Sequence, residues 1–171
     1  MKKKLILAVC SFAFAAFALG CSTRVAKVDN VQMTAKLQVN KVIFIAKTAD
    51  GTYSGKTYNG SGANIQNNFA ANIRIRASQV ITGNQNDFMS EAKQAKAYYI
   101  VKPTILHWEP RNAAWSGKST QVEINVIVYD EFGKELVNRN LSAVGRSVTF
   151  TSQSAEGIAN NLIKDFCSEI F

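Results

Sequence analysis

Val122, Ile124, Val126 and Val128 alternate with Glu123, Asn125, Ile127 and Tyr129. A period of two puts the first set on one face of a β-strand and the second on the other. Asp130 to Lys134, containing Gly133, supplies a turn, and Glu135 to Val144 continues as the partner strand. A half-buried antiparallel hairpin cannot stand alone. Its apolar face must be covered, and the rest of the chain has to supply the cover.

That cover is readable. Ile65, Phe69 and Ile73 recur every four residues within Ala63 to Ser78, which predicts an amphipathic helix. Asn86 or Asp87 can cap a second helix with Phe88, Ala92 and Ala95 inward. Ser152 or Ser154 opens a third, in which Ile158, Leu162, Phe166 and Ile170 are spaced to pack inward. Gly157 weakens its first turn by about 1 kcal/mol relative to Ala.

Three further strands complete the pattern. Val42-Ile43-Phe44-Ile45-Ala46 is apolar at every position, as an interior strand covered on both faces would be. Val80-Ile81-Thr82 reads as a short strand, and Tyr98 to Trp108 as a longer one. Pro103 within it argues for a sheet edge or a bulge. The order β-α-β-α-β-β-β-α predicts one α/β (α+β) domain over 41–171, a mixed sheet of about five strands with about three helices on it. That order resembles the small domain in the N-terminal part of the Tol-system propeller protein and in the curli-secretion lipoprotein, a likeness of fold that carries no function. Ala49 to Gly62, rich in Gly, Ser, Thr, Asn and Tyr, reads as a long surface loop.

The N-terminus has a different character. Lys2, Lys3 and Lys4 precede an apolar run from Leu5 to Leu19, followed by Gly20-Cys21-Ser22. A positive start, a short apolar stretch and small residues make a secretory signal over 1–20. The run is short for a membrane-spanning helix, which needs about 20 residues. Gly20-Cys21 resembles the bacterial lipobox, in which Cys21 is acylated (palmitate is a typical chain) and becomes the new N-terminus. Ala16-Phe17-Ala18 offers a rival cut by ordinary signal peptidase. Ser22, in place of Asp, suits an outer-membrane destination with the domain facing the periplasm. Two or three acyl chains give stable attachment at about 0.8 kcal/mol per buried CH₂. The polar stretch 21–40 then reads as the lipidated N-terminus and its tether.

Cysteine and charge narrow the partners. Without the signal only Cys21 and Cys167 remain. If Cys21 carries lipid, Cys167 has no intrachain partner and reads as a small buried hydrophobe. If the cut follows Ala18, the two could pair in an oxidising compartment. The formal charge of +8 falls to +5 without the three signal lysines. A basic envelope protein is drawn weakly to anionic surfaces. Nucleic acid is a poor partner, because the basic residues are scattered and only Arg74-Ile75-Arg76 is locally dense.

The densest cluster of unusual residues is His107-Trp108-Glu109-Pro110-Arg111, followed by Trp115-Ser116-Gly117-Lys118. It contains the only histidine and both tryptophans. Together with Tyr98-Tyr99-Ile100-Val101, the lipid signal, the Tyr53 to Gly62 loop and the closing helix, these pieces resemble an uncharacterised lipoprotein family of Gram-negative bacteria. That family is known as a domain of unknown function. The resemblance implies an outer-membrane lipoprotein and supplies no reaction.

On a strand, His107, Glu109 and Arg111 would share one face, with Trp108 and Pro110 on the other. His107 and Glu109 could begin a zinc site, but zinc wants three or four protein ligands and no second histidine exists. The simpler reading pairs Glu109 with Arg111 or His107. Trp108 and Trp115 are core residues or partner anchors, and Trp115, in a loop, is the better candidate for the exposed one. No G-x-S-x-G elbow, P-loop, dinucleotide fingerprint or metalloprotease motif occurs, so neither a cofactor nor a metal is expected. Glu109 and Glu123 are conceivable as a glycosidase pair. The sequence thus predicts a non-catalytic module, lipid-anchored at Cys21, that binds an envelope protein or peptidoglycan through Trp115, Trp108, His107, Glu109, Arg111 and Lys118. An envelope hydrolase using His107 and Glu109, and a homo-oligomer formed through the sheet edge, are the alternatives.

Overall fold

The computed structural model describes residues 24–31, 36–110, 119–145, 147–148 and 151–171, with backbone alone for 24–31, 147–148 and 151–152. The elements in chain order are β1 (Arg24–Val31), β2 (Val42–Ile45), β3 (Thr52–Tyr53), β4 (Lys56–Thr57), α1 (Ser61–Ile73), β5 (Gln79–Thr82) and α2 (Phe88–Gln94). There follow β6 (Tyr99–Glu109), β7 (Gln121–Asp130), β8 (Glu135–Val144), β9 (Ser147–Val148), β10 (Thr151–Ser152) and α3 (Ala155–Ile170). The predicted order of strands and helices is present as a single α+β domain.

One mixed sheet runs β1-β8-β7-β6-β2-β5. β2 pairs in parallel with both β5 and β6, while β6, β7, β8 and β1 are joined antiparallel. The expected five strands are all there. The sixth, β1, is a correction: Arg24–Val31, expected within the 21–40 tether, pairs with β8 from Arg24↔Val144 to Val31↔Asn138.

Burial follows the sequence pattern. Ile43 and Ile45 of β2 enter the larger core with Ile65, Phe69 and Ile73 of α1 and Ile158, Leu162, Phe166 and Ile170 of α3. The two helices touch through the edge-to-face pair Phe69–Phe166, centroids 6.1 Å apart. Phe44 and Ala46 point the other way into a smaller core with Ala92 of α2, Ala97 and Ile100. β2 is therefore covered on both faces, as its unbroken apolar run requires.

The caps and turns are resolved by side-chain chemistry. Asp87, not Asn86, caps α2 by accepting from the Ser90 N–H. Ser154, not Ser152, caps α3 by accepting from the Gly157 N–H. In the β7–β8 turn the Asp130 carboxylate accepts the N–H groups of Phe132 and Lys134, and Gly133 takes φ +81°.

Two expectations need correcting. α1 stops at Ile73 rather than Ser78, because Asn40 and Ser78 bond Arg76 and Lys41 across the chain and turn it into β5. The segment 49–62 is not one loop. It contains the β3–β4 hairpin, with Gly55 at φ +77° in its turn, and then the buried start of α1. Among the described residues no helix is long and apolar enough to cross a membrane.

Candidate functional site

β6 sets the site. Its parallel pairing with β2 ends at Val101, so from Lys102 onward one side of the strand is released. Pro103, which has no N–H to donate, is tolerated there because β2 no longer pairs with it. β6 is an interior strand, and of the edge or bulge that the proline argued for, the bulge follows three residues on. Past it, a register shift between Ile105 and His107 makes Leu106 the extra residue, half exposed at 50%. A bulge of this kind re-aims the side chains that follow.

Trp108, opposite Val122, is 1% exposed and belongs to the helix-covered core. This is the core reading of that tryptophan, and no binding surface is left on it beyond the edge that lines a cleft described below. His107 and Glu109 come together as the sequence spacing implied: Nε2 lies 3.0 Å from Oε2, with side chains 32% and 8% exposed. A carboxylate this buried needs donors, and the imidazole N–H supplies one. The ring also makes an edge-to-face contact with Tyr53 of β3, centroids 5.1 Å apart at 68°. Glu123 lies opposite His107 in the strand register. Arg111, Trp115, Ser116, Lys118 and the lipidation residue Cys21 lie outside the described residues.

Close backbone approach sets the hairpin against β6, and short polar contacts tie it to the start of α1. Gly51 sits so close to Trp108 that an added Cβ would lie 2.6 Å from the tryptophan Cβ. Ser61 Oγ accepts the Gly51 N–H at 2.8 Å and donates to the Tyr58 carbonyl at 2.7 Å. At the start of α1, Gly60 takes φ +85° and offers no side-chain cap. Asp50 serves from a distance, accepting the Gly62 N–H at 2.8 Å.

Between β4, the start of α1 and the start of α3 lies an open cleft of about 350 Å³. Lys56, Tyr58, Asn64 and Glu156 line it, and Trp108 forms part of its wall. The Lys56 ammonium stands 5.1 Å over the Tyr58 ring. Its size is at the low end for small-molecule sites, and its lining mixes one cation, one carboxylate and two aromatic rings. Sequence reading missed Tyr53, Lys56, Asn64 and Glu156. The one available signal was Tyr53-Ser54-Gly55-Lys56, an aromatic and a lysine flanking a glycine turn.

Among the described residues no group of three or more His, Cys, Asp or Glu side chains could hold a metal ion. Cys167 is buried on α3, and burial pushes its thiol up to about 12 against a smaller opposing effect of Arg76. It is a packed hydrophobe in this fold.

Solved structures share the architecture. A PelC dodecamer from Paraburkholderia phytofirmans superposes with a TM-score of 0.67 at 14% identity, covering 87% of this chain and 97% of that one. Protein XCC0632 from Xanthomonas campestris, of family DUF330, gives 0.50 at 14% identity, covering 80% and 84%. At such identities the likeness is one of fold. No curated protein matches the sequence. A family model described as Domain of unknown function (DUF4823) matches residues 35–169, and the chain belongs to that uncharacterised family.

Proposed function

We propose that this chain is an outer-membrane lipoprotein, anchored through acyl groups on Cys21, whose periplasmic domain is a non-catalytic assembly module that joins copies of itself and binds another envelope component. The observation that carries the assembly reading is the PelC likeness, which spans 97% of a chain that forms a dodecamer. The sheet supports it. Its two edges are unlike, β1 joined antiparallel to β8 and β5 joined in parallel to β2, and among the described residues neither edge has a further strand. Unlike edges meet head to tail, and a head-to-tail contact closes into a ring when its rotation allows.

The test is the mass of the lipid-free Cys21→Ser protein in solution, measured by light scattering and native mass spectrometry. A closed oligomer of fixed number supports the reading. A folded monomer at every concentration sinks it.

One observation favours a second reading, an envelope hydrolase: the partly exposed His107 is held by the buried Glu109. His107→Asn and Glu109→Gln decide between the two. Complementation of a deletion strain by both variants removes the hydrolase, and loss of complementation with normal fold and mass favours it.

A further inference from the structure

The geometry points to a fixed orientation on the membrane: we infer that the end of the sheet carrying Arg24, Glu109 and Val144 faces the lipid leaflet. This inference rests on the acylation of Cys21 proposed above. Its argument is one of length.

Cys21 precedes Arg24, the first residue of β1, by three positions. Three residues span at most about 11 Å when fully extended. Arg24 pairs with Val144, which pairs in turn with Gln121, and Gln121 with Glu109. All four positions define one end of the sheet. At the other end lie the β7–β8 turn at Asp130–Lys134 and the starts of β2, β5 and β6. A strand of the length of β8 separates the two ends by about 30 Å.

The reach of the anchor is thus about one third of the strand length. That reach excludes an approach by the far end, which would hold Arg24 about 30 Å above the leaflet. A tether over all of 21–40 would have reached far enough for either end to approach the bilayer. The strand pairing of 24–31 removes that freedom.

Exposed apolar side chains do not choose between the ends. Leu106 and Val144 are 50% and 44% exposed at the near end, and Phe132 and Ile75 are 86% and 81% exposed at the far end. Anchor length decides where apolar area does not. The consequence concerns the candidate site: Trp108, the His107–Glu109 pair and the Lys56–Glu156 cleft all sit at the near end. Whatever enters that cleft does so beside the lipid headgroups, while Phe132 and Ile75 face away from the membrane.

The experiment uses the full acylated protein purified from cells and reconstituted into phosphatidylcholine–phosphatidylglycerol vesicles. Single cysteines at Val144→Cys and Phe132→Cys carry an environment-sensitive fluorophore, read with a quencher attached to lipid headgroups. Cys167 is buried with its thiol pushed up to about 12, so it does not compete for the label. The expected result is at least several-fold stronger quenching at Val144 than at Phe132. Equal quenching, or stronger quenching at Phe132, on a protein whose mass includes its acyl groups overturns the orientation alone. An unacylated mass overturns the anchor and the orientation with it. Leu106→Cys provides a second near-end position should Val144→Cys disturb β8.

Discussion

β2 and β7 belong to one sheet and bury their residues in opposite styles. In β2 and the residue after it, Ile43, Phe44, Ile45 and Ala46 are each at most 1% exposed. In β7 only alternate residues are hidden: Val122, Ile124, Val126 and Val128 are at most 2% exposed, while Glu123, Asn125, Ile127 and Tyr129 are half-buried. The cause is coverage. β2 has α1 on one face and the small core of α2 on the other. β7 has α3 on one face, and on the other Tyr129 meets Phe88 of α2, ring centroids 6.0 Å apart. A strand's hydrophobic pattern records how many of its faces are covered, and so it locates neighbours that local propensity does not name.

The strongest way to break that contrast is to truncate one residue on each face of the β7–β8 region. Phe166 of α3 is fully buried against Phe69, so Phe166→Ala leaves a cavity and is expected to cost about 3–5 kcal/mol. Ile127→Ala, on the uncovered face, is expected to cost about 1 kcal/mol or less. Urea midpoints read both. Equal losses would mean that the outer face is packed in solution and the asymmetry is false.

A smaller effect tests how tightly the hairpin is pressed on β6. Gly51→Ala would set a methyl 2.6 Å from Trp108 Cβ and 2.9 Å from Ile105 Cγ2. Backbone or β6 must shift, at an expected cost of about 1–3 kcal/mol, with a change in tryptophan fluorescence. A neutral substitution with unaltered emission would show that the hairpin stands off from the strand.

These contrasts also explain what sequence could and could not disclose. Apolar patterning disclosed β2 by its unbroken run, β7 by its alternation, and α1 and α3 by their recurring inward positions, while β8 was read from the turn that precedes it. β1 stayed hidden because Val25-Ala26-Lys27-Val28-Asp29 mixes charge into the alternation, which an edge strand with one neighbour tolerates. β3 and β4 are two residues each, too short for any period. The His107–Trp108–Glu109 cluster was legible because its residue types are rare here and sit together. The bulge at Leu106 was legible only as one of two readings of Pro103, because the proline marks an interruption of the strand without fixing which residue is left unpaired. Lys56, Asn64 and Glu156 reach the cleft from three separate elements, so only the fold makes them neighbours.

The covered face can be followed by pH as well. The Cys167 thiol is pushed from 9.0 to about 12 by burial. Between those values the unfolded chain has lost its proton and the folded chain has kept it, so stability falls as pH rises. Below about pH 9 the thiol contributes no slope. The limiting slope is about 1.4 kcal/mol per pH unit. Cys167→Ala should lose stability overall through a small cavity, yet show a shallower decline between pH 9 and 11. Tyr129, also raised by burial and by Glu135, adds a decline above pH 10 that both proteins share. Identical slopes would show that the thiol is reached by water.

The uncovered face yields the smallest change and the sharpest comparison. Asn125 Nδ2 donates to Asn138 Oδ1 at 2.9 Å and to Asn140 Oδ1 at 2.6 Å, a polar ladder across β7 and β8. All three side chains are half-buried, so water can replace part of what a deletion removes. Asn125→Ala is expected to cost about 0.5–1.5 kcal/mol in the monomeric unit, and Asn125→Ala with Asn140→Ala little more than either alone. The cycle is measured twice, on the lipid-free protein at low and at high concentration. If copies assemble through the sheet edges, as proposed, this face stays open to water and the coupling is the same in both. A coupling that grows with concentration would place a neighbouring copy over the asparagines and move the assembly contact from the edges to the face.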